Sequence, residues 1–323
     1  MTSSNRVHES VQKFYTEKME SPDREVCCAY EYQEGLTDHI PASVLERAYG
    51  CGNPLSLNVA QPGMTVVDLG AGAGIDCFIA SRIVGPQGRV IGLDMTTASL
   101  EKARAAAPSV AESLGYANVE FRRGHMESMP LDSESVDLII SNCVINLSPD
   151  KSRVLAEISR VLRPGGIVSI SDIISLSPIP DEVRDQETSW EECVSGAITR
   201  DELFAIAGVH GIYLVETFCG EPWRGVPGTD IQVASVTLQG CRRDGSGTAA
   251  WRDGLTARYV GEGPSVVDSD GQVFRAGVPV AVTTALRDLF GRPPFAGLFR
   301  VFDSGEPRPE EVSGVGEPKK SCC

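Results

Sequence analysis

The sequence lacks several features that would assign it to a class at once. No run of 18 or more apolar residues occurs in the 323-residue chain, so we expect neither a membrane-spanning helix nor a membrane partner. The first residues, Met1 to Arg6, are polar, and we expect no secretion signal and a cytoplasmic location. None of the ten cysteines has C-x-x-C spacing, which argues against a zinc finger and favours reduced thiols.

Basic residues are scarce as well. The chain has 29 Lys and Arg against 44 Asp and Glu, a net charge of −15. An acidic surface repels phosphate backbones, so we expect no nucleic-acid partner. The hydrophobic content of 41% is ordinary for a globular protein of a size that needs no disulfides for stability. No heptad or other self-association pattern stands out, and we expect a monomer.

Short apolar runs alternate with helical stretches between Pro62 and Ser175. The runs predict strands, and the stretches between them predict helices at Thr97–Leu114 and Asp150–Leu162. The predicted strands are Met64–Gly70, Arg89–Asp94, Val119–Arg122, Val136–Ser141 and Gly166–Asp172. Strands that alternate with helices indicate right-handed βαβ units. We therefore predict an α/β fold, with a Rossmann-like sheet that carries helices on both faces.

Composition divides the chain into four predicted segments. A turn-rich stretch at Cys241–Thr248 ends the α/β part, and a hairpin around Asp270-Gly271 follows it. The N-terminal part is expected to be helical at His8–Lys18 and Ala42–Tyr49. The predicted segments are an N-terminal helical segment (1–60), the main domain (61–240), a small α+β C-terminal domain (249–303) and a flexible tail (304–323) that ends in Cys322-Cys323.

A glycine-rich loop, Asp68-Leu-Gly70-Ala-Gly72-Ala-Gly74, joins the first predicted strand to a helix. Glycines let a ligand approach the backbone closely, and the N–H groups of the helix then face that ligand. The loop is not the dinucleotide fingerprint, because Ile75 stands where a glycine would be needed. Asp94 closes the next strand, where its carboxylate can accept hydrogen bonds from two ribose hydroxyls.

Together with Leu162-Arg-Pro-Gly-Gly166, the loop and Asp94 resemble the class I S-adenosylmethionine-dependent methyltransferases. The resemblance implies S-adenosylmethionine as methyl donor and assigns it a set of contacts. Asp68, Gly70, Gly72 and Gly74 would line its methionine moiety, Asp94 would hold the ribose, Met95 would lie against the adenine, Met126 and Glu127 would contact the adenine edge, and Asn142 would complete the site. His125 is expected to be an exposed loop histidine.

Three cysteines stand out by position. Cys143 directly follows the fourth strand, at the sheet edge where such folds place their active sites. Cys51 and Cys193 lie in glycine-containing stretches on either side of the predicted cofactor core. From the residues alone, convergence of the three thiols and separate packing as small hydrophobes are equally open. Cys77, at the start of a helix, is expected to pack in the core.

Four motifs resemble arsenite S-adenosylmethionine methyltransferases, in a match from about Cys27 to Leu238. They are Tyr49-Gly-Cys-Gly52, Asp94-Met-Thr96, Asn142-Cys-Val-Ile-Asn-Leu147 and Glu192-Cys-Val-Ser-Gly-Ala197. The resemblance implies that four cysteines handle trivalent arsenic: Cys51, Cys143, Cys193 and either Cys27 or Cys28. Cys143 and Cys193 would hold arsenic during methyl transfer, and Cys51 and the N-terminal thiol would help to capture it.

The chemistry of arsenic suits these residue types. Trivalent arsenic is soft and prefers thiolates, and its lone pair is the nucleophile, so a chain with four histidines needs no general base. The expected substrate is arsenite or its thiol conjugates, with an external thiol reductant such as thioredoxin or glutathione, and the expected role is arsenic detoxification. Cys322-Cys323 is expected either to collect arsenite or to form a redox-labile tail.

Two other functions are compatible with the same cofactor core. One is a class I methyltransferase that acts on carbon, nitrogen or oxygen of a small organic molecule. The other is a non-catalytic, thiol-rich protein that binds metalloids.

Overall fold

The structure is a computed structural model. It describes residues 3–20, 32, 35–47, 50–184, 194–225, 229–243, 255–261 and 263–302. The predicted arsenic-handling residues Cys27, Cys28 and Cys193, and the Cys322-Cys323 pair, lie outside the described residues. Across the described ranges, every helix is too short or too polar to cross a membrane.

A mixed sheet forms the centre of the molecule. The strands are β1 (Thr65–Leu69), β2 (Arg89–Asp94), β3 (Val119–Arg123), β4 (Val136–Asn142), β5 (Leu162–Ser175), β6 (Ile212–Cys219), β7 (Trp223–Arg224), β8 (Gln232–Arg242), β9 (Thr256–Tyr259), β10 (Ser265–Asp268), β11 (Val273–Arg275), β12 (Pro279–Ala281) and β13 (Phe299–Phe302). The main sheet has the order β11-β10-β6-β8-β5-β4-β1-β2-β3, and β7 pairs with β8. Strands β1 to β5 run parallel, and the later strands join antiparallel.

Helices cover both faces of the parallel part. They are α1 (Ser3–Glu20), α2 (Ala42–Leu45), α3 (Ile75–Val84), α4 (Thr97–Leu114), α5 (Lys151–Val161), α6 (Asp181–Arg184), α7 (Arg200–Val209) and α8 (Thr284–Phe290). Side chains alternate along a strand, so Val66 packs with α3 and α4 while the adjacent Val67 packs with α5 and α7 on the opposite face. Both valines are fully buried. The predicted Rossmann-like α/β fold is confirmed.

Local signals explain where the helices on one face begin. Asp150 caps α5 by accepting a hydrogen bond from the backbone N–H of Arg153, at 2.9 Å. Thr199 and Glu202 form a reciprocal capping box at the start of α7. Both helices then bury an apolar stripe against the sheet, with Val154, Leu155, Ile158 and Val161 fully buried in α5.

The strand order reverses between β1 and β4, because the chain builds outward to β3 and then returns to the other side of β1. In open α/β sheets, ligands bind at such a point, outside the carboxyl ends of the strands. The predicted strand Gly166–Asp172 is longer in the structure and starts at Leu162, with a shift in its register against β4 between Val136 and Leu138.

The C-terminal part contributes to two sheets. Strands β9, β12 and β13 form a three-stranded sheet, whereas the β10–β11 hairpin pairs with β6 and extends the main sheet. The hydroxyl of Tyr213 in β6 donates to the Asp268 carboxylate at 2.8 Å, which fastens the hairpin to that sheet. The division of the chain into domains stays a prediction.

Candidate active site

A cleft opens at the carboxyl ends of β1, β2 and β4, where the strand order reverses. It encloses about 1130 Å³, including the part open to solvent. Several residues predicted from the sequence lie on its wall: Asp68, Gly70, Gly72, Asp94, Met95, Met126, Glu127, Asn142 and Cys143. The glycine loop and the loop after β4 therefore face one cavity.

The glycine loop turns sharply between β1 and α3. Gly70, Gly72 and Gly74 have φ angles of 68°, 54° and 94°, in the left-handed region that favours glycine. Gly74 lies outside the wall of the cleft, and a Cβ there would lie 2.9 Å from the ring of Phe121. Gly74 thus allows α3 to pack closely, whereas Gly70 and Gly72 face the cavity.

Two carboxylates lie at the carboxyl ends of the parallel strands, Asp68 buried and Asp94 partly buried. Asp94 accepts hydrogen bonds from the backbone N–H groups of Gly72 at 2.9 Å and Thr96 at 2.7 Å. Burial raises the pKa of Asp94, and these N–H groups oppose the rise. Burial, reinforced by the Asp76 carboxylate, raises the pKa of Asp68 well above its usual value. A ligand with hydroxyl or cationic groups would provide hydrogen-bond donors for the carboxylates of Asp68 and Asp94.

The structure brings Cys51 and Cys143 together and pairs them as a disulfide, with their Cα atoms 5.5 Å apart. Both residues are buried. Cys143 adopts a left-handed conformation with φ of 59°, which is uncommon for a residue with a Cβ. Its backbone N–H donates to the carbonyl of Ser171 in β5 at 2.8 Å, so neighbouring strands hold this turn.

Asn142 fixes the loop that carries Cys51. Its side-chain oxygen accepts from the Cys51 N–H at 2.9 Å, and its amide nitrogen donates to the Gly52 carbonyl and the Asp76 carboxylate, each at 3.0 Å. A Cβ at Gly50 would lie 2.7 Å from this amide, so the approach requires glycine there. Asn142, predicted to contact the cofactor, lines the cleft while its amide binds the Cys51 loop.

Other thiols lie elsewhere or beyond the described ranges. Cys193 itself is not described, but the next residue, Val194, belongs to the same buried apolar cluster as Cys51 and Cys143. Cys77 belongs to α3 and is fully buried in the core, and its thiol donates to Asp68 at 3.2 Å. Burial raises the pKa of the Cys77 thiol well above its usual value.

Sequence reasoning missed the contribution of α1 to the cleft. His8, Val11, Tyr15 and Met19 all line it, three or four residues apart and therefore on one face of the helix. Gln12 on α1 also donates to the Met95 carbonyl at 3.1 Å. The helical spacing of these residues was the available signal, but spacing alone does not show which surface a helix will cover.

Glu127 meets α1 across the cleft rim. Its carboxylate oxygen Oε1 lies 3.0 Å from Nε2 of His8 and 2.5 Å from the hydroxyl of Ser148. Burial alone would raise the pKa of Glu127, but the hydrogen bonds from His8 and Ser148 outweigh it and bring the pKa to about 2. Glu127 is therefore a carboxylate at neutral pH.

The chain is similar to known proteins both in sequence and in structure. A family model described as a methyltransferase domain matches residues 60–211. The crystal structure of CrArsM, an arsenic(III) S-adenosylmethionine methyltransferase from Chlamydomonas reinhardtii, superposes with a TM-score of 0.66 and 33% identity, and the match covers 83% of this chain and 94% of that one.

Two curated relatives are also named as methyltransferases of trivalent arsenic. The arsenite methyltransferase of Halobacterium salinarum is 45% identical over 199 residues, which cover 59% of this chain and 50% of the relative. The arsenite methyltransferase of Mus musculus is 34% identical over 254 residues, 75% of this chain and 65% of the relative. In these alignments the chain spans between half and two thirds of the length of the curated relatives.

Proposed function

This chain belongs to the arsenic(III) S-adenosylmethionine methyltransferase family, and on that premise we propose that it methylates thiol-bound trivalent arsenic in arsenic detoxification. The products would be methylated arsenicals and S-adenosylhomocysteine. The observation that carries the proposal is the position of Cys143. Its sulfur meets that of Cys51, and the same residue lines the cleft beside the glycine loop.

The cleft suits the methyl donor. When bound, S-adenosylmethionine supplies an electrophilic methyl group on a sulfonium. Apart from its chain neighbours, the nearest protein atom to a Cβ built at Gly72 is the backbone oxygen of Gly70, 3.9 Å away, so this turn leaves room beside the backbone. We assign Asp68, Gly70 and Gly72 to the methionine end, Asp94 to the ribose, and Met95, Met126 and Glu127 to the adenine. Gly74 lies outside the cleft wall, and its close packing against Phe121 stabilises the loop.

Thiols are the groups that this site offers to arsenic. Three protein thiols and arsenite, As(OH)₃, would give a trithiolate and three water molecules, with each thiol proton leaving on a displaced hydroxide. Cys51 and Cys143 supply two sulfurs, and we assign the third to Cys193 because its neighbour Val194 packs in their cluster. Cys27 or Cys28 would help to capture the substrate. The lone pair of arsenic would form the bond to the methyl group, and the methyl–sulfur bond would break to release S-adenosylhomocysteine. The side chains would then need only to position arsenic.

A reductant belongs to the same scheme. The Cys51–Cys143 disulfide must take up two electrons and two protons before both sulfurs can bind arsenic. An external thiol such as thioredoxin or glutathione would supply them and become a disulfide itself. This need favours a reducing compartment, and we propose a cytoplasmic location. The expected monomeric state stays a prediction.

Arsenic speciation after incubation with arsenite, S-adenosylmethionine and a dithiol tests the proposal. We expect methylated arsenic from the parent chain and none above background from Cys143→Ser or Cys193→Ser. Cys219→Ser is the matched control, because Cys219 lies at the end of β6 outside the cleft wall, and it should methylate at the parental rate.

The same assay separates the other functions. A parent chain that binds arsenite but never methylates it would be a metalloid-binding protein. Full arsenic methylation by Cys143→Ser would show that this thiol is not needed. A parent chain that neither binds nor methylates arsenite would leave an organic small molecule as the better substrate class. S-adenosylhomocysteine binding, measured alongside, should be unchanged in each serine variant, which distinguishes loss of chemistry from loss of fold.

A further inference from the structure

Two histidines and one carboxylate converge where α1 crosses the rim of the cleft. One ligand atom each from His8, His125 and Glu127 lies within 4.8 Å of the other two. His8 comes from α1, whereas His125 and Glu127 come from the loop after β3. The three side chains therefore join two parts of the chain that are more than a hundred residues apart in sequence.

From this arrangement we propose that His8, His125 and Glu127 form a binding site for a divalent transition-metal ion such as Zn²⁺. Imidazole nitrogens and a carboxylate oxygen are donors that Zn²⁺, Co²⁺ and Ni²⁺ accept. Three protein ligands leave the fourth tetrahedral position to water. The site uses none of the cysteines of the proposed methyl transfer. It shares the cleft wall, and the residue Glu127, with the proposed adenine contact.

The distances require only a small adjustment. With metal–ligand bonds of about 2.0–2.1 Å, two ligands of a tetrahedral zinc ion are roughly 3.4 Å apart. Nε2 of His8 and Oε1 of Glu127 are already 3.0 Å apart. The imidazole of His125 must move closer to His8 and Glu127 for all three to bind one ion. This ring is exposed, and its centroid lies 5.1 Å from that of His8.

Neighbouring side chains orient the Glu127 carboxylate and leave the proposed ligands accessible to a metal ion. Ser148 hydrogen-bonds the Glu127 carboxylate at 2.5 Å, and such outer contacts orient metal ligands. The guanidinium of Arg153 donates to the backbone carbonyl of Glu127, so the carboxylate itself is not occupied by that cation. Within the described residues, the imidazole of His125 makes no hydrogen bond and is available to a metal.

A bound ion would add metal bonds to the contacts that hold α1 over the cleft. Those contacts now include His8 with Glu127 and Gln12 with the Met95 carbonyl. We therefore expect Zn²⁺ to raise the melting temperature of the parent chain and to protect the backbone amides of α1 from hydrogen exchange.

Histidine NMR provides a direct test, because the chain has four histidines. The full chain, labelled with ¹³C-histidine, is titrated with Zn²⁺ past saturation of its thiols. The ring signals of His8 and His125 should shift. Those of His39, which hydrogen-bonds the Phe78 carbonyl, and His210, which hydrogen-bonds Ser152, should not. Single His→Gln variants assign the four signals.

Variants complete the test. His125→Gln changes an exposed ring and should weaken Zn²⁺ binding at this site at least about tenfold, and His8→Gln should do the same. His210→Gln is the matched control and should bind as the parent does. The proposal is overturned if neither the His8 nor the His125 signal moves, or if the His8 signal moves equally in the His125→Gln chain.

Discussion

Asn142 connects the two halves of the candidate site through a single amide. Its three hydrogen bonds reach Cys51, Gly52 and Asp76, so the thiol loop and the first turn of α3 share one side chain. Tyr32 extends the connection by donating to the other Asp76 oxygen at 2.7 Å. Because Asp76 follows the glycine loop, Asn142 sets the position of the thiols relative to the cleft.

Replacing Asn142 by alanine should therefore impair the thiol pair more than the fold. We expect a loss of about 1–3 kcal/mol in the free energy of unfolding, since buried partners are left unsatisfied. The rate at which reduced Cys51 and Cys143 re-form their disulfide should fall roughly tenfold or more, because misplacement of reacting atoms is costly. Peptide mapping of the reoxidising protein by mass spectrometry measures this rate.

Asn118→Ala is the matched control for this prediction. Asn118 also makes amide hydrogen bonds, to the Gly85 carbonyl and to Ser81, but at the other end of α3. It should lose stability without slowing disulfide formation. Equal reoxidation rates in the two variants would show that Asn142 does not position the thiols.

Asp172, near the end of β5, makes stability depend on pH. It is 3% exposed, and burial raises its pKa from 3.8 to about 6, against hydrogen bonds from the N–H groups of Ile173 and Asn146. The folded chain therefore keeps a proton that the unfolded chain releases near pH 3.8. The stability from this group is complete below that pH and is lost as pH rises through 6.

Asp172→Asn removes this titration. Two pKa units correspond to about 3 kcal/mol, so the variant should gain up to that much stability relative to the parent between pH 4 and pH 7. Urea unfolding of both chains at the two pH values gives the difference. A difference that stays constant across this range would mean that Asp172 does not titrate there.

At the scale of elements, the sequence predicted best where local signals suffice. The predicted β2 (Arg89–Asp94) and α4 (Thr97–Leu114) agree with the structure to the residue, since apolar runs and turn residues mark both ends. The predicted helix Ala42–Tyr49 is wrong in length, because α2 ends at Leu45. The next residues, Glu46 and Arg47, form a turn instead.

The sequence predicts those parts of the candidate site that lie in short contiguous motifs. The loop from Asp68 to Gly74 and the acid Asp94 follow from spacing along the chain. The bonds between Asn142 and the Cys51 loop do not, because they join residues about 90 positions apart. The role of α1 likewise depends on which surface the helix covers, and only the assembled sheet defines that surface.

Helix α1 should control cofactor affinity because it forms one side of the cleft. Val11 is fully buried and faces the cavity, whereas Lys13 is exposed on the same helix. Val11→Asp would bury a carboxylate, so we expect the helix to move away and S-adenosylhomocysteine affinity to fall at least about tenfold. Isothermal titration measures the affinity, and circular dichroism checks helix content.

Lys13→Asp changes the net charge more than Val11→Asp but buries no new charge. It should bind S-adenosylhomocysteine within about twofold of the parent. If the two variants bind equally well, α1 contributes nothing to cofactor affinity.

At the scale of the whole molecule, one aromatic cluster joins the C-terminal sheet to the main sheet. Phe274 in β11 is fully buried, with ring centroids 5.5 Å from Phe290 and 5.1 Å from Phe299. The same buried cluster includes Tyr213 of β6 and Cys241 of β8. Since strands of both sheets supply this core, we expect the two parts to unfold together.

Phe274→Ala tests whether that cooperation holds. Removing a buried ring should cost about 3–5 kcal/mol, and the loss should appear in one transition seen equally by far-ultraviolet dichroism and by binding of S-adenosylhomocysteine during urea unfolding. The neighbouring Val273 is 40% exposed, so Val273→Ala should stay within about 0.5 kcal/mol of the parent. If Phe274→Ala instead produces an early transition that leaves cofactor binding intact, the C-terminal part unfolds as a separate domain. In that case the β10–β11 hairpin separates from β6 without disturbing the parallel strands that form the cleft.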